Sequence, residues 1–201
     1  MRLFVVGATG RTGTALVNQA LARGHMVTAL VRSPERLTAK DPNLTVLKGS
    51  VLDEAQLLDG MRNHEAVIAT LGPREPFKRG SLLRDSTLAI TKAMDRSGLK
   101  RLLVLSAAAL FPGLPNRVVR FILRNTMSDS LAMERIVQAS GLNWTIVRPP
   151  RLTNGTSLTY QSREDAAPAG AFSMSRSAVA AFMLDALEQK RHFQKIVGLG
   201  I

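Results

Sequence analysis

Cysteine is absent from the 201 residues, which excludes disulfides, thiolate catalysis and Cys-ligated metals and fits a reducing compartment, with the cytoplasm expected. Aromatics are sparse as well: seven Phe, one Trp and one Tyr, too few for the stacking platforms of single-strand nucleic-acid binders. No apolar run reaches the roughly 18–20 residues that a membrane span needs. The run at 3–6, straight after Met1-Arg2, is too short for a secretion-signal core, and no small-residue cleavage site follows it. Acids are scarce, with 15 Asp+Glu against 27 Lys+Arg, a formal charge of +12. That excess is spread along the chain and forms no tail, so a small anionic ligand is a more economical partner than nucleic acid.

What is present is a regular alternation. Short apolar runs at 3–6, 27–31, 45–47, 65–71, 101–106, 144–147 and 196–197 read as strands. Between them, 11–23, 53–61, 81–97, 117–140 and 175–190 carry helical apolar stripes. Gly24, Gly98 and Gly141 stand at the stop positions, and Asp53 is placed as an N-cap. Strand–helix alternation over one 201-residue chain predicts a single α/β domain, residues 1–201, with a doubly wound parallel sheet in the Rossmann order. The least regular stretches, 73–80, 107–116 and 153–173, follow strand C-termini, the edge that carries the ligand crevice in such sheets. They are expected to form a substrate rim.

The sharpest motif is Gly7-Ala8-Thr9-Gly10-Arg11-Thr12-Gly13, between the first strand and the first helix. Gly7 permits a tight turn, Gly10 lets backbone amides approach a pyrophosphate, and Gly13 lets the helix pack close to the sheet. An NAD site places Asp or Glu at the end of the second strand, about 20 residues on, to bind the ribose diol. Here that position is Arg32, with Arg36 one turn further along. A guanidinium fork suits a 2′-phosphate, so NADPH is expected over NADH.

Gly7 to Gly13, Arg32, Leu71-Gly72, Leu105-Ser106 and the segment from Ser140 to Pro150 together resemble the atypical short-chain dehydrogenase/reductases. The likeness is nearest to the small NAD(P)H-binding group that contains biliverdin-IXβ/flavin reductase. That resemblance implies that Thr9, Gly10, Arg11 and Thr12 hold the pyrophosphate and that Arg32 and Arg36 hold the 2′-phosphate. It also implies that Ser50 and Val51 flank the adenine. The family often has Gly-Asp-Val there, whereas this chain has Gly49-Ser50-Val51, which keeps a hydrogen-bonding group but no charge. Leu71, Gly72 and Arg74 match the loop near the ribose and pyrophosphate, Ser106 the serine ending the fifth strand, and Pro149 and Pro150 the turn that walls the nicotinamide.

The usual Tyr-x-x-x-Lys pair, in which a tyrosine moves the substrate proton, is missing. The one tyrosine, Tyr160, is followed four residues on by Glu164, and Thr126 and Ser130 stand where the pair aligns. Two hypotheses follow. One is an NADPH-dependent reductase of a planar acceptor such as flavin, quinone or bilin, working by hydride alignment with a solvent proton. The other is a non-catalytic NADP(H)-binding redox sensor or regulatory scaffold. For the reductase, Ser106 and Arg151 are the candidate catalytic residues. Ser106 either orients the nicotinamide or acceptor or is satisfied locally; Arg151 either attracts an anionic group of the acceptor or is a solvated rim residue. Phe111 either stacks on a flat ring or packs. Arg117, Arg120 and Arg124 mark one side of a basic amphipathic helix, read as packing on the domain in preference to a membrane surface. His25, His64 and His192 are far apart with no ligand spacing, so no metal is expected. A monomer or small homo-oligomer suits the size.

Overall fold

The computed structural model describes residues 1–72, 80–113, 121 and 124–201. Arg74, Arg117, Arg120 and most of the 73–80 rim lie outside the described residues. The strands are β1 (Arg2–Val6), β2 (Met26–Val31), β3 (Leu44–Lys48), β4 (Ala66–Ala69), β5 (Arg101–Leu105), β6 (Asn143–Arg148), β7 (Arg151–Thr153), β8 (Gln161–Glu164), β9 (Ser173–Ser175) and β10 (Lys195–Gly200). The helices are α1 (Arg11–Ala22), α2 (Glu54–Gly60), α3 (Leu82–Ser97), α4 (Arg124–Ala139) and α5 (Arg176–Glu188), with 3-10 turns at Pro34–Arg36 and Ala108–Leu110.

The main sheet runs β3-β2-β1-β4-β5-β6-β10-β8, parallel except for β8 at the edge, which pairs antiparallel with β10. This is the Rossmann-type α/β fold that the alternation predicts. The central strands are buried on both faces, and their side chains divide by parity. Leu3 and Val5 point to the face covered by α1 and α5, with Ile68, Leu103 and Val147. Phe4 and Val6 point to the face covered by α2, α3 and α4, with Val67, Leu102 and Ile146. Burying each of these side chains is worth roughly 1.5–3 kcal/mol, so the two-sided core holds the C-termini of the parallel strands of the main sheet at one edge.

The capping chemistry mostly follows the sequence. Asp53 accepts from the backbone N–H of Gln56 at 3.1 Å, as its N-cap role requires. Gly98 and Gly141 adopt positive φ at 74° and 65° beyond α3 and α4. At α3, however, Ser81 makes no cap bond to backbone. Asp129 reaches across from α4 and accepts from the N–H groups of Leu83 at 2.9 Å and Arg84 at 3.0 Å.

The 153–173 rim is more ordered than its sequence implies. β7 resumes after Pro149-Pro150 and pairs parallel with β9, and β8 adds an edge strand to the main sheet. All four β8 residues are exposed, so there is no buried apolar alternation to betray a strand.

Candidate functional site: a glycine turn under a cationic edge

Register explains the turn. Val6 pairs with Ala69, which sets Gly7 beside Thr70 at the ends of β1 and β4. Gly7 has φ +83°, and a Cβ there would lie 2.8 Å from the Thr70 carbonyl carbon. At Gly13 a Cβ would come within 2.2 Å of the Gly7 oxygen, so α1 reaches the turn only with glycine at that position. Gly10 N–H donates to the Gly7 oxygen at 2.9 Å, and Thr14 Oγ1 donates to the Ala8 oxygen at 3.2 Å. Thr70 Oγ1 donates to the oxygens of Val6 and Gly7 at 3.3 Å each. Thr70 is thus a structural partner of the motif that lies outside the motif itself; only strand register reveals it.

The closed turn leaves α1 starting behind Gly10 at its N-cap position, with no side-chain cap and no acidic residue in its first turn. Its leading N–H groups and the positive end of its dipole therefore suit an external anion. Thr9 is half-buried, Arg11 exposed and Thr12 buried beside this end. Arg32 follows β2 and Arg36 closes the 3-10 turn; both are exposed and, among the described residues, pair with no carboxylate. Ser50 and Val51 sit where the chain leaves β3, half-buried. The Ser50 N–H donates to Gln56 Oε1 at 3.0 Å, and its Oγ accepts from the Leu52 N–H at 3.2 Å. Leu71 and Gly72 follow Thr70 out of β4.

Ser106, Pro149, Pro150 and Arg151 converge at the ends of β5 and β6. The Ser106 N–H donates to the Val147 oxygen at 2.7 Å, and the Ala108 N–H to the Pro149 oxygen at 2.9 Å. Ser106 Oγ donates to Glu134 Oε1 at 2.5 Å. Glu134, 2 % exposed, is also gripped by Arg148 through Nε at 2.9 Å and Nη2 at 2.5 Å. The Ser106 hydroxyl proton is therefore engaged with a buried carboxylate, which leaves its oxygen as an acceptor. Of the two readings of Phe111 the structure shows packing: it is 4 % exposed and lies under the Arg148 guanidinium, 4.6 Å from ring centroid to Cζ. Arg151 is exposed on β7, its N–H bonded to the Phe172 oxygen at 3.3 Å.

Tyr160 stands far from this edge. Its hydroxyl donates to Asp185 Oδ2 at 2.5 Å, and Asp185 also pairs with Arg23 at 2.6 Å, just past the C-terminal end of α1. The twelve-residue α1, about 18 Å long at 1.5 Å per residue, separates it from the turn. Burial and the Asp185 bond push the phenol up to about 12, so it holds its proton. Thr126 and Ser130 are buried in α4.

A cavity of about 590 Å³ opens at the opposite edge, beside Arg101 and Phe193. The C-terminal ends of α3 and α5 border it, and Arg101 donates there to the oxygens of Ala186 in the last turn of α5, of Arg191 beyond it and of Asn143 at the start of β6. Among the described residues no cluster of acids and histidines has metal-binding geometry, and no helix is long and apolar enough to cross a membrane.

The sequence profile of a family described as NAD(P)H-binding matches residues 7–190. A photosystem II assembly factor, Ycf39 of Synechocystis, is 25% identical over 96% of this chain and 61% of its own length. The (4-alkanoyl-5-oxo-2,5-dihydrofuran-3-yl)methyl phosphate reductase of Streptomyces griseus is 31% identical over 77% of this chain and 49% of its own. The chain thus spans about half to three-fifths of those two relatives. A short-chain dehydrogenase/reductase of Veillonella parvula, crystallised in complex with NADP, superposes with TM-score 0.86 at 21% identity, covering 100% of this chain and 94% of that one. The glycines that let the turn close against Thr70, and the start of α1 left without a side-chain cap beside it, fit the diphosphate of such a dinucleotide.

Proposed function

Because the chain belongs to the NAD(P)H-binding family, we propose that it is an NADPH-dependent reductase of a planar acceptor of the flavin, quinone or bilin class, working without a Tyr–Lys pair. The observation that carries this reading is the glycine turn closed against Thr70, with Arg32 where a diol-binding acid would stand. In this reading Gly7, Thr9, Gly10, Arg11, Thr12 and Gly13 hold the diphosphate. Arg32 and Arg36 hold the 2′-phosphate, Ser50 and Val51 border the adenine, and Leu71 and Gly72 border the ribose. Pro149 and Pro150 wall the nicotinamide. When bound, the reduced nicotinamide supplies a hydride, and the acceptor gains that hydride and one proton from water.

The protein's part is alignment and exclusion of alternatives. Ser106 Oγ, its own proton given to Glu134, offers lone pairs to an N–H of the carboxamide or acceptor. Arg151 meets an anionic group on the acceptor from the exposed rim. No side chain is asked to deliver a proton, which agrees with a tyrosine engaged at the far end of α1.

A second reading, an NADP(H)-binding assembly or regulatory protein, is favoured by the Synechocystis relative's name. Turnover separates the two. Purified protein mixed with NADPH and FMN or menadione should show acceptor-dependent loss of the nicotinamide absorbance; binding of NADPH with no such loss would favour the second reading. In either case Arg32→Ala should weaken NADPH about 10–100-fold, the worth of a charge-assisted contact, and leave NADH nearly unchanged.

A further inference from the structure

The cavity at the N-terminal edge of the sheet lies outside the nucleotide crevice. It opens at the starts of β5 and β6, whose other ends lead to Ser106 and Pro149. β5 alone spans about 17 Å at about 3.3 Å per residue. The volume, about 590 Å³, falls in the range of small-molecule sites. Apolar side chains line much of it: Met61 and Leu187 are buried, Leu99 is half-buried, and Phe193 is 44 % exposed. The charges around it are one-sided. Lys100, Arg101 and Lys190 line it, and Glu65 is the sole acid among its described lining residues. The Glu65 carboxylate is already engaged, accepting from the Arg2 N–H at 2.6 Å.

Arg101 sets this cavity apart. It is 9 % exposed, and its terminal nitrogens are held by neutral oxygens: Nη1 by Asn143 at 2.9 Å and Thr145 Oγ1 at 2.8 Å, Nη2 by Arg191 at 3.0 Å. The Nε–H is buried and has no hydrogen-bond partner among the described residues. These dipoles orient the guanidinium without cancelling its charge, and among the described residues no carboxylate pairs with it. Burial lowers its pKa to about 10, with no acid to offset the fall. An arginine is almost never this buried unless it is paired. Phe193 covers the guanidinium, 4.7 Å from ring centroid to Cζ, and itself half faces water. The segment that brings Lys190 and Phe193 to the wall is strained. Lys190, His192 and Gln194 hold φ at 51°, 59° and 55°, a left-handed region that non-glycine residues rarely adopt.

We propose that this cavity binds an amphipathic monoanion, a carboxylate on an alkyl or aryl body. Arg101, Lys100 and Lys190 answer the head group, and Met61, Leu187 and Phe193 pack against the body. A carboxylate only accepts, which suits guanidinium and ammonium donors, whereas the second charge of a phosphate would face Glu65. The site shares no residue with the glycine turn and does not depend on the nucleotide reading.

Calorimetric titration with octanoate, and with octanamide as its neutral counterpart, tests the assignment. The wild type should bind one octanoate at least tenfold more tightly than octanamide, the worth of a charge-assisted contact. Reversing the two exposed cations, Lys100→Glu with Lys190→Glu, should weaken octanoate about fivefold or more and leave the NADPH titration as it is in the wild type. Arg101→Met, if its circular dichroism and melting show it folded, should bind octanoate no better than octanamide. If it does not fold, the double lysine variant decides. A wild type that gives no saturable heat with octanoate, or binds both compounds equally, would overturn the proposal, as would octanoate affinity unmoved by the lysine reversal.

Discussion

At Gly13 a single missing methyl group decides whether the first helix can reach the turn. A Cβ would sit 2.2 Å from the Gly7 oxygen, which is backbone and cannot step aside. Gly13→Ala should cost about 1–3 kcal/mol by overpacking and abolish measurable nucleotide binding; chemical denaturation and calorimetry on the same sample check both. Tyr160 predicts the reverse pattern. Tyr160→Phe should keep turnover within twofold while losing about 1 kcal/mol from the Asp185 bond. The fold raises the phenol's pKa from 10.0 to about 12. Its stabilisation is therefore complete below pH 10 and drains away as pH rises through about 12. The wild type's alkaline melting limb should fall more steeply than that of Tyr160→Phe. At this scale the sequence was most informative where one residue type is compulsory, as at Gly7 and Gly13. It was silent on Thr70 and Glu134, whose roles depend on partners 63 and 28 residues away.

Among elements, the ends of β5 and β6 are tied to α4 by one carboxylate. Glu134 accepts from Ser106 and forks with Arg148, whose guanidinium in turn lies over Phe111. Removing one partner of a buried ion pair strands the other charge, so Glu134→Ala should cost about 3–5 kcal/mol. It should also lower kcat, because the strand ends that carry Ser106 and Pro149 lose their brace. Thermal melts and steady-state kinetics would report these losses together, and normal melting in Glu134→Ala would contradict the bracing role. The parallel strands and helices were readable because each buries a periodic apolar set. The rim was not, since β8 buries nothing and β7 and β9 have three residues each. The Asp129 cap on α3 was equally hidden: capping is a local rule, and here the acceptor comes from another helix.

Across the whole molecule, the pairing of charges differs between the two edges of the sheet. At the N-terminal edge of the sheet the acids are paired: Asp185 and Glu188 with Arg23, and Glu164 with His192 and Lys195. At the C-terminal edge Arg11, Arg32, Arg36, Arg151 and Arg176 stand without carboxylates among the described residues. Five arginines scattered along the sequence are thus gathered by the fold at the crevice. A dinucleotide drawn by these cations should bind more weakly as ionic strength rises, because the Debye length shrinks from about 10 Å at 0.1 M to about 3 Å at 1 M. The most direct measurement is a calorimetric titration of the folded protein with NADPH and with NADH at low salt. The account predicts one saturable site for NADPH, at least tenfold tighter than for NADH and weakened by added salt. Well-folded protein that gives no heat with either nucleotide would contradict it.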